Sequence, residues 1–526
     1  GAPAASIGVL GTPINTTTGS ITATTGNGGI YINETDAIDV AAGGLTATGG
    51  NIQLTAGGAG TQTGSIAGNS LTVKTLNNAG AAINLNNGSN NVASIDLRSR
   101  DSTDAANAAG PIAFSAANSF DVATIATTST IGLTSVAGGI TDSGAITGTT
   151  LTTSSATGTV LDFGHTVTGF NATNTASGNV QLVNNTGALN VTGVSQSGGG
   201  DVIISNTGTL TISGAVTAGG TGTVSLSTTG ASKDIAFSGG TATLIAGSAS
   251  LNATGAVTSG AAATDIDTSA TGGTITVVAG NSIGTGGNPL EVKPGSGAMN
   301  FTSTAGGIAV DLSAGNLLFS KLTTVSAPAA GQTLQFSTAS GNIQVDSMAG
   351  FSANTTNDNF ILVSASTIAE SGAAFINAVS LATTSSGGTT LGNANTVGSF
   401  GATNAGSGNI QLTNTAAPLF VTGITQSGGG NVQIDNTGAL TSNTAAITTG
   451  GGNLVLNTSG TITLTQNITA GAGTVTLNPS AGGVSQTAGG VTAANLELTG
   501  VGTFNLNQAT NHLTGNLAAN VTGVLT

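Results

Sequence analysis

One short motif, glycine–any residue–valine–any residue–leucine, returns along this chain at nearly constant spacing and limits its possible folds more than any other feature. It begins at Gly178, Gly200 and Gly222, so equivalent glycines are about 22 residues apart. It returns at Gly408, Gly430, Gly452 and Gly473, with Ile, Val or Leu at the apolar positions and with the same spacing or one position less. Short units of this kind cannot bury an apolar face alone, but stacked copies bury a continuous one. The spacing therefore predicts a repeat protein.

Within each copy of the motif, apolar and polar residues alternate, which is the pattern of a strand with one buried face. Turn-forming Gly, Asn and Ser separate these segments, and no stretch shows a sustained helical period. We therefore predict an all-β chain with almost no helix. The predicted fold is a parallel β-helix, or β-solenoid, of about 24 coils of roughly 22 residues, on the order of 115 Å long.

A longer repeat overlies the short one. Residues 177–219 match residues 407–449, and a lead-in block precedes each copy, starting at Ile146 and Ile376. Weaker copies of the block start at Ile66 and Val491. These repeats predict one continuous rod with an N-terminal arm or linker at 1–15, solenoid repeats at 16–140, a first long copy at 141–370 and a second, partial copy at 371–526.

Three segments break the rhythm and are predicted to be loop excursions or changes in coil shape. They contain prolines, which cannot donate to a central ladder and so favour turns. The segments are Asp96–Pro111, Gly286–Asn300 and Val325–Thr333.

Charge is scarce: 5% of the 526 residues are charged, with 20 acidic and only 6 basic side chains scattered along the chain. Nucleic-acid binding needs clustered cations, so this class is excluded. No run approaches the roughly 18 apolar residues of a membrane-spanning helix, so membrane insertion is not expected. The 38% of hydrophobic residues distinguishes the chain from a disordered one. With no Cys and few Lys, the composition favours an exported bacterial surface protein.

Alternating segments such as 28–40 and 178–191 resemble the repeat regions of filamentous-haemagglutinin-like bacterial surface proteins. The resemblance implies a right-handed parallel β-helix, export across an outer membrane, and a role in adhesion or matrix building. The secretion cap of that family, with its Asn-Pro-Asn-Gly-Ile-type motif, is not visible here, which favours an internal stretch of a longer chain. The composition is also similar to that of surface-layer proteins.

Catalysis needs titratable groups brought together, and the sequence offers few. Its two histidines, His165 and His512, precede Val167 and Leu513 in lead-in blocks, so we interpret them as equivalent turn residues. The closest acid pairs are Asp36/Asp39, Asp101/Asp104 and Asp265/Asp267. Paired carboxylates can catalyse glycoside hydrolysis or bind Ca²⁺ weakly, so both functions stay as alternatives for these pairs. The residues around Asp265 and Asp267, however, favour a solvated turn. We predict no catalytic, cofactor or metal site.

Two exposed features remain. Residues 98–101, Arg-Ser-Arg-Asp, form the only charged cluster and are interpreted as an exposed loop, either a docking loop or simply a solvated one. Threonine-rich segments such as 461–465 can align across coils as hydroxyl ladders that bind polysaccharide or ice, or merely face water.

The expected function is structural or adhesive: an extracellular, cell-surface rod or filament segment that acts through self-association and many weak contacts. The expected partners are further copies or the rest of a longer parent chain, with surface polysaccharide or a host receptor as additional candidates. One alternative is a subunit of a surface layer or matrix array. Another is a carbohydrate-binding or carbohydrate-cleaving β-helix, although one Tyr and no Trp leave few stacking platforms.

Overall fold

The structure, a computed structural model, describes residues 5–260, 263–352 and 357–526. It confirms the predicted fold class: a parallel β-solenoid of about 23 turns, with 55% strand and almost no helix. By internal packing the chain separates into two units, residues 1–275 and 276–526. Each unit is a stack of coils.

The strands of the first unit are short and follow one another through tight turns. Their bounds are β1 Ile14–Thr16, β2 Ser20–Thr25, β3 Ile30–Glu34, β4 Ile38–Ala47, β5 Ile52–Ala56, β6 Gly60–Gln62, β7 Ile66–Leu76, β8 Ile83–Leu85, β9 Asn91–Arg100, β10 Ile112–Ala116, β11 Phe120–Ala126, β12 Ile131–Ser135, β13 Ile140–Asp142, β14 Ile146–Thr147, β15 Thr150–Ser155, β16 Thr159–His165, β17 Gly169–Asn174, β18 Val180–Asn184, β19 Ala188–Gln196, β20 Val202–Asn206, β21 Thr209–Ile212, β22 Val216–Ala218, β23 Thr223–Thr228, β24 Ile235–Phe237, β25 Leu244–Ile245, β26 Ser248–Ala253, β27 Val257–Thr258 and β28 Ile266–Asp267.

From residue 275 onward the pattern continues, with a 3-10 turn at Phe319–Lys321. The strand bounds are β29 Ile275–Ala279, β30 Leu290–Lys293, β31 Met299–Ser303, β32 Ile308–Leu312, β33 Leu317–Leu318, β34 Leu322–Ser326, β35 Thr333–Thr338, β36 Ile343–Val345, β37 Asn359–Ser364, β38 Thr367–Glu370, β39 Asn377–Ser385, β40 Gly388–Asn404, β41 Ile410–Asn414, β42 Leu419–Gln426, β43 Val432–Asn436, β44 Leu440–Ser442, β45 Ile447–Thr448, β46 Leu454–Thr458, β47 Ile462–Leu464, β48 Ile468–Thr469, β49 Thr474–Pro479, β50 Val484–Gln486, β51 Val491–Ala493, β52 Asn495–Gly500, β53 Phe504–Asn505, β54 His512–Leu513 and β55 Leu517–Val521.

The apolar positions of the motif form the core. In the first unit Val180, Val202 and Val224 lie directly over one another in parallel register, and all three are fully buried. In the second unit the equivalent column is also fully buried, and it consists of Ile410, Val432, Leu454 and Val475. Each coil therefore shields the apolar face of its neighbours, as the stacking argument required.

The coil length is less regular than the motif suggests. In adjacent coils, Ile52 pairs with Leu71, which is a shorter interval than that of the motif. Ile95 pairs with Val122, which is a longer one. The interval of about 22 residues is therefore typical of the stack, but individual coils are shorter or longer than this.

The rhythm-breaking segments are only partly loops. Residues 101–111 do form an excursion between β9 and β10, but β9 itself extends to Arg100. The segment 286–300 contains a regular strand, β30, which pairs with β32. At the N-terminus, Ile7 bridges Ile30, and β1 pairs with β3. The described residues before position 16 thus contribute backbone pairs to the stack.

The glycine that opens each motif is required by the close approach of neighbouring coils. A Cβ added to Gly452 would lie 2.2 Å from the carbonyl oxygen of Gly430, one coil away, and a Cβ on Gly430 would lie 2.3 Å from that of Gly408. Real Cβ atoms do not approach backbone that closely, so these positions accept only glycine without a shift of the coil.

The residue after this glycine adds a side-chain bond between coils. The Oδ1 atom of Asn409 accepts a hydrogen bond from the backbone amide of Asn431 at 2.9 Å. Asn431 in turn accepts from the amide of Asn453 at 2.9 Å, and Asn453 from that of Thr474 at 2.8 Å. The Gly-Asn pair in the sequence therefore helps to stack one turn upon the next.

We predict that Gly452→Ala destabilises the protein by about 1–3 kcal/mol, because the new methyl group must displace backbone of the adjacent coil. The measurement is urea unfolding followed by far-UV circular dichroism. Gly392→Ala is the matched control, since the nearest atom to its added Cβ is the end of a flexible side chain at 4.0 Å. Equal effects of the two substitutions would contradict the close approach described here.

Candidate functional site

His165 lies in the core and is not the turn residue that its sequence position suggested. It ends β16, is fully buried, and its Nδ1 atom accepts a hydrogen bond from the backbone amide of Ile146 at 3.0 Å. Its Nε2 atom lies 3.3 Å from Oδ2 of Asp142, which ends β13. The interpretation as a turn residue was wrong because a buried amide in the neighbouring coil needs an acceptor, and His165 supplies it.

The same arrangement recurs in all four lead-in blocks. In each block the backbone amide of the first apolar residue donates to a side chain on the next coil. These donor–acceptor pairs are Ile66–Asn90 at 2.7 Å, Ile146–His165 at 3.0 Å, Ile376–Asn395 at 2.7 Å and Val491–Asn511 at 2.8 Å. The structural equivalent of His165 in the last block is therefore Asn511, whereas His512 is exposed. The predicted equivalence of the two histidines was off by one position.

Each acceptor has a second polar partner at the end of a preceding strand. Gln62 and Asn90 exchange two amide hydrogen bonds of 2.8 and 2.9 Å, as do Gln486 and Asn511. In the other two blocks the strand-end residue is an acid: Asp142 beside His165, and Glu370 beside Asn395. We call these four units the polar pairs. Their repetition with uncharged amides indicates that the position serves to satisfy the buried backbone.

The Asp142–His165 pair has little capacity for catalysis. Burial alone would raise the pKa of Asp142, but hydrogen bonding from His165 and from the amides of Asp162 and Phe163, both at 2.9 Å, outweighs it and lowers the pKa. Because Nδ1 of His165 accepts from Ile146, the ring proton is on Nε2 and faces the carboxylate. Both ring nitrogens thus face protein groups, and neither is exposed to a substrate.

If the role of this pair is structural, the double substitution Asp142→Gln with His165→Asn should retain most of the stability, because it reproduces the pairs at Gln62–Asn90 and Gln486–Asn511. His165→Ala alone should cost about 3 kcal/mol, because it leaves the buried amide of Ile146 without an acceptor and removes the side-chain partner of the Asp142 carboxylate. Urea unfolding of the three proteins measures the difference. A double variant as unstable as His165→Ala would refute the equivalence of the polar pairs.

Glu370 is a polar-pair acid with only one of its two carboxylate oxygens fully satisfied. Its Oε2 atom accepts from the backbone amide of Asn393 at 2.8 Å, but its Oε1 atom is buried without a hydrogen-bond partner. Burial raises the pKa of Glu370, and the hydrogen bonds from Asn393 and Asn395 only partly oppose this shift. Two of the other polar pairs carry glutamine at this position.

We predict that Glu370→Gln stabilises the protein at pH 7 by about 1 kcal/mol, since the amide can donate where a carboxylate cannot and the site is only partly buried. A raised folded-state pKa means that the charged carboxylate destabilises the folded state, so the wild-type penalty is full above the folded-state pKa, shrinks as the pH falls through it, and is lost below the ordinary value of 4.5. The gain should therefore shrink in acid when thermal unfolding is compared across pH. Glu497→Gln, at an exposed position, is the control and should show no such trend.

The acid pairs suggested by the sequence do not form a common site. Asp39 accepts from the hydroxyls of Thr61 and Thr63 at 2.8 and 3.1 Å. Asp101 caps its own loop by accepting from backbone amides, and these bonds lower its pKa; the donors are Thr103, Ala105 and Ala106. Within residues 5–260, 263–352 and 357–526, no group of three or more acidic or histidine side chains is arranged to hold a metal ion.

The third pair departs from its prediction. Asp265 is buried, with 3% of its surface exposed, and Asp267 belongs to the two-residue strand β28. The expected solvated turn is therefore wrong for Asp265, because this part of the chain packs against the stack.

The charged cluster also differs from expectation. Residues 98–100 lie in strand β9 and not in an exposed loop, with Ser99 fully buried between the two arginines. The side chain of Arg98 pairs with Asp96 at 2.6 Å. Lys74 and Arg100 both pair with Asp104, at 2.6 and 2.9 Å. The excursion after Arg100 is thus tied to the stack by its own ion pairs.

Threonine ladders do form, and they extend further than the segment that suggested them. Thr463 stands between Thr441 and Ser485 in parallel register. A longer column, which sequence reasoning missed, runs over six coils of the second unit through Thr384, Thr403, Thr425, Thr448, Thr469 and Thr492. All six side chains are exposed or half-exposed. The sequence does carry a signal for this column, because one threonine recurs in each coil at the same position of the repeat.

No protein-family model matches the chain, no curated protein matches it, and no solved structure matches it. In the parts of the chain that the structure describes, no helix is long and apolar enough to cross a membrane. The geometry of the fold and of its polar columns is therefore the basis for any functional conclusion.

Proposed function

We propose that this chain is a structural or adhesive segment of an extracellular, cell-surface β-solenoid, similar in role to filamentous-haemagglutinin-like proteins. The observation that supports this most is the regular stack of coils, whose outward faces carry repeated small polar side chains. Such a chain acts through length and through many equal, weak contacts, because the same surface recurs once per coil.

Low surface charge supports self-association as the mode of action. The 20 acidic and 6 basic side chains are spread over 526 residues, so little electrostatic repulsion keeps copies apart. Several large apolar side chains are also exposed, among them Phe163 at 60%, Val136 at 58% and Val379 at 50%. Side-by-side contact of such surfaces is stabilised by apolar burial.

Purified protein should therefore form filaments or bundles visible by negative-stain electron microscopy, and its sedimentation coefficient should rise with concentration. Because apolar contact and hydrogen bonding drive the association, moderate salt should not disperse it. Two-dimensional arrays would favour the surface-layer alternative. Compact particles that stay monomeric at every concentration would refute the filament proposal.

A second role, carbohydrate binding, is favoured by one specific feature: a polar groove in the second unit that the fold itself does not require.

A further inference from the structure

Four consecutive coils of the second unit form a shallow groove of about 330 Å³ on their outward side. Its floor is a column of half-exposed side chains from β41, β43, β46 and β49: Thr413, Asp435, Asn457 and Asn478. Its rim consists of exposed hydroxyl residues from the turns that follow these strands, such as Ser459 and Ser480. Because neighbouring coils are about 4.8 Å apart, polar groups recur along the groove at that interval.

The floor is organised in advance by its own hydrogen bonds. Nδ2 of Asn478 donates to Oδ1 of Asn457 at 3.1 Å, and Nδ2 of Asn457 donates to Oδ1 of Asp435 at 2.6 Å. Nε2 of Gln433 donates to Oδ2 of Asp435 at 2.7 Å. Each asparagine NH₂ has two hydrogens, so one on each remains free to donate to a ligand.

The first long copy of the repeat shows that this chemistry is additional to the needs of the fold. When residues 177–219 are aligned with 407–449 and the alignment is continued, Asp435 and Asn457 correspond to Ser205 and Ser227. Ser205 and Ser227 are paired in the same parallel register as Asp435 and Asn457. The coil therefore forms in the same register with serine at both positions, so the pairing of the strands does not require the carboxylate and amide of the second copy.

We propose that this groove binds a neutral polysaccharide chain, laid along the direction in which the coils stack. Hydroxyl groups both donate and accept, which matches a column of amides, hydroxyls and one carboxylate in a concave surface. The groove contains a carboxylate and no cationic lining residue, so anionic polysaccharides and phosphates are disfavoured. This proposal deepens the adhesive role and rests on it.

Affinity at one sugar unit is expected to be weak, because no aromatic side chain lines the groove. A polymer compensates by contacting several coils, and several copies of the protein, at the same time. The appropriate probe is therefore a long polysaccharide and not a monosaccharide.

The test is affinity gel electrophoresis of the full chain in gels containing dextran, galactomannan or hydroxyethyl cellulose as neutral probes, with hyaluronan as the anionic probe. At least one neutral polymer should retard the protein, and hyaluronan should not. The double variant Asp435→Ser with Asn457→Ser should bind the retarding polymer about fivefold or more weakly. It should fold, because it copies Ser205 and Ser227. Thr463→Ser, in a different outward column, is the control and should bind as the wild type does.

The proposal is overturned if no neutral polymer retards the protein, if hyaluronan retards it more strongly, or if the double variant is retarded as much as the wild type. Sedimentation of the same samples separates this result from the filament proposal. The double variant should still self-associate, so lost retardation with intact assembly reports on the groove alone. Absence of assembly in the wild type would refute the filament role whatever the groove binds.

Discussion

The structure depends on the close backbone contact between successive coils. Parallel hydrogen bonds bring neighbouring strands so near that the carbonyl of Gly430 leaves no room for a Cβ on Gly452. The same contact lets Asn431 reach the amide of Asn453. Core burial, side-chain ladders and the outward columns all follow from this single repeat distance, because each residue type is placed directly above its equivalent.

The fold could be predicted because both of its signals can be read directly along the sequence. One is the alternation of apolar and polar residues within a strand, and the other is the return of the motif at each coil. The column of Val180, Val202 and Val224 follows from them directly. The environment of His165 does not, since its partners Ile146 and Asp142 lie on another coil and nothing local distinguishes a buried acceptor from a turn residue. Arg98 was assigned to a loop for the same reason. Its neighbour Ser99 is polar, and only the contacts with adjacent coils show that Ser99 faces the core.

The candidate sites follow a similar rule. Acids close in sequence, such as Asp101 and Asp104, bind their own loop or its neighbouring cations, whereas the groove unites residues one coil apart, such as Asp435 and Asn457. In a solenoid, residues that are one coil length apart in the sequence lie side by side in space, so sites form from such residues more readily than from sequence neighbours. In the two long copies Asp435 stands opposite Ser205, and Asn457 stands opposite Ser227 where the alignment is continued, but many other positions also differ, so the comparison alone does not identify the groove.

The duplicated long repeat has a consequence for how such a chain can change its length. Residues 177–219 and 407–449 share the motif and many of their residues, and in both copies the motif strands pair in parallel register with those of the next coil. Excising the chain between equivalent positions of the two copies would therefore join coils with the same pairing pattern, and inserting another copy would do the same. Recombination within the coding sequence can therefore shorten or extend the molecule by a whole block without unravelling what remains, whereas a change of a few residues within a strand would shift every side chain beyond it out of line.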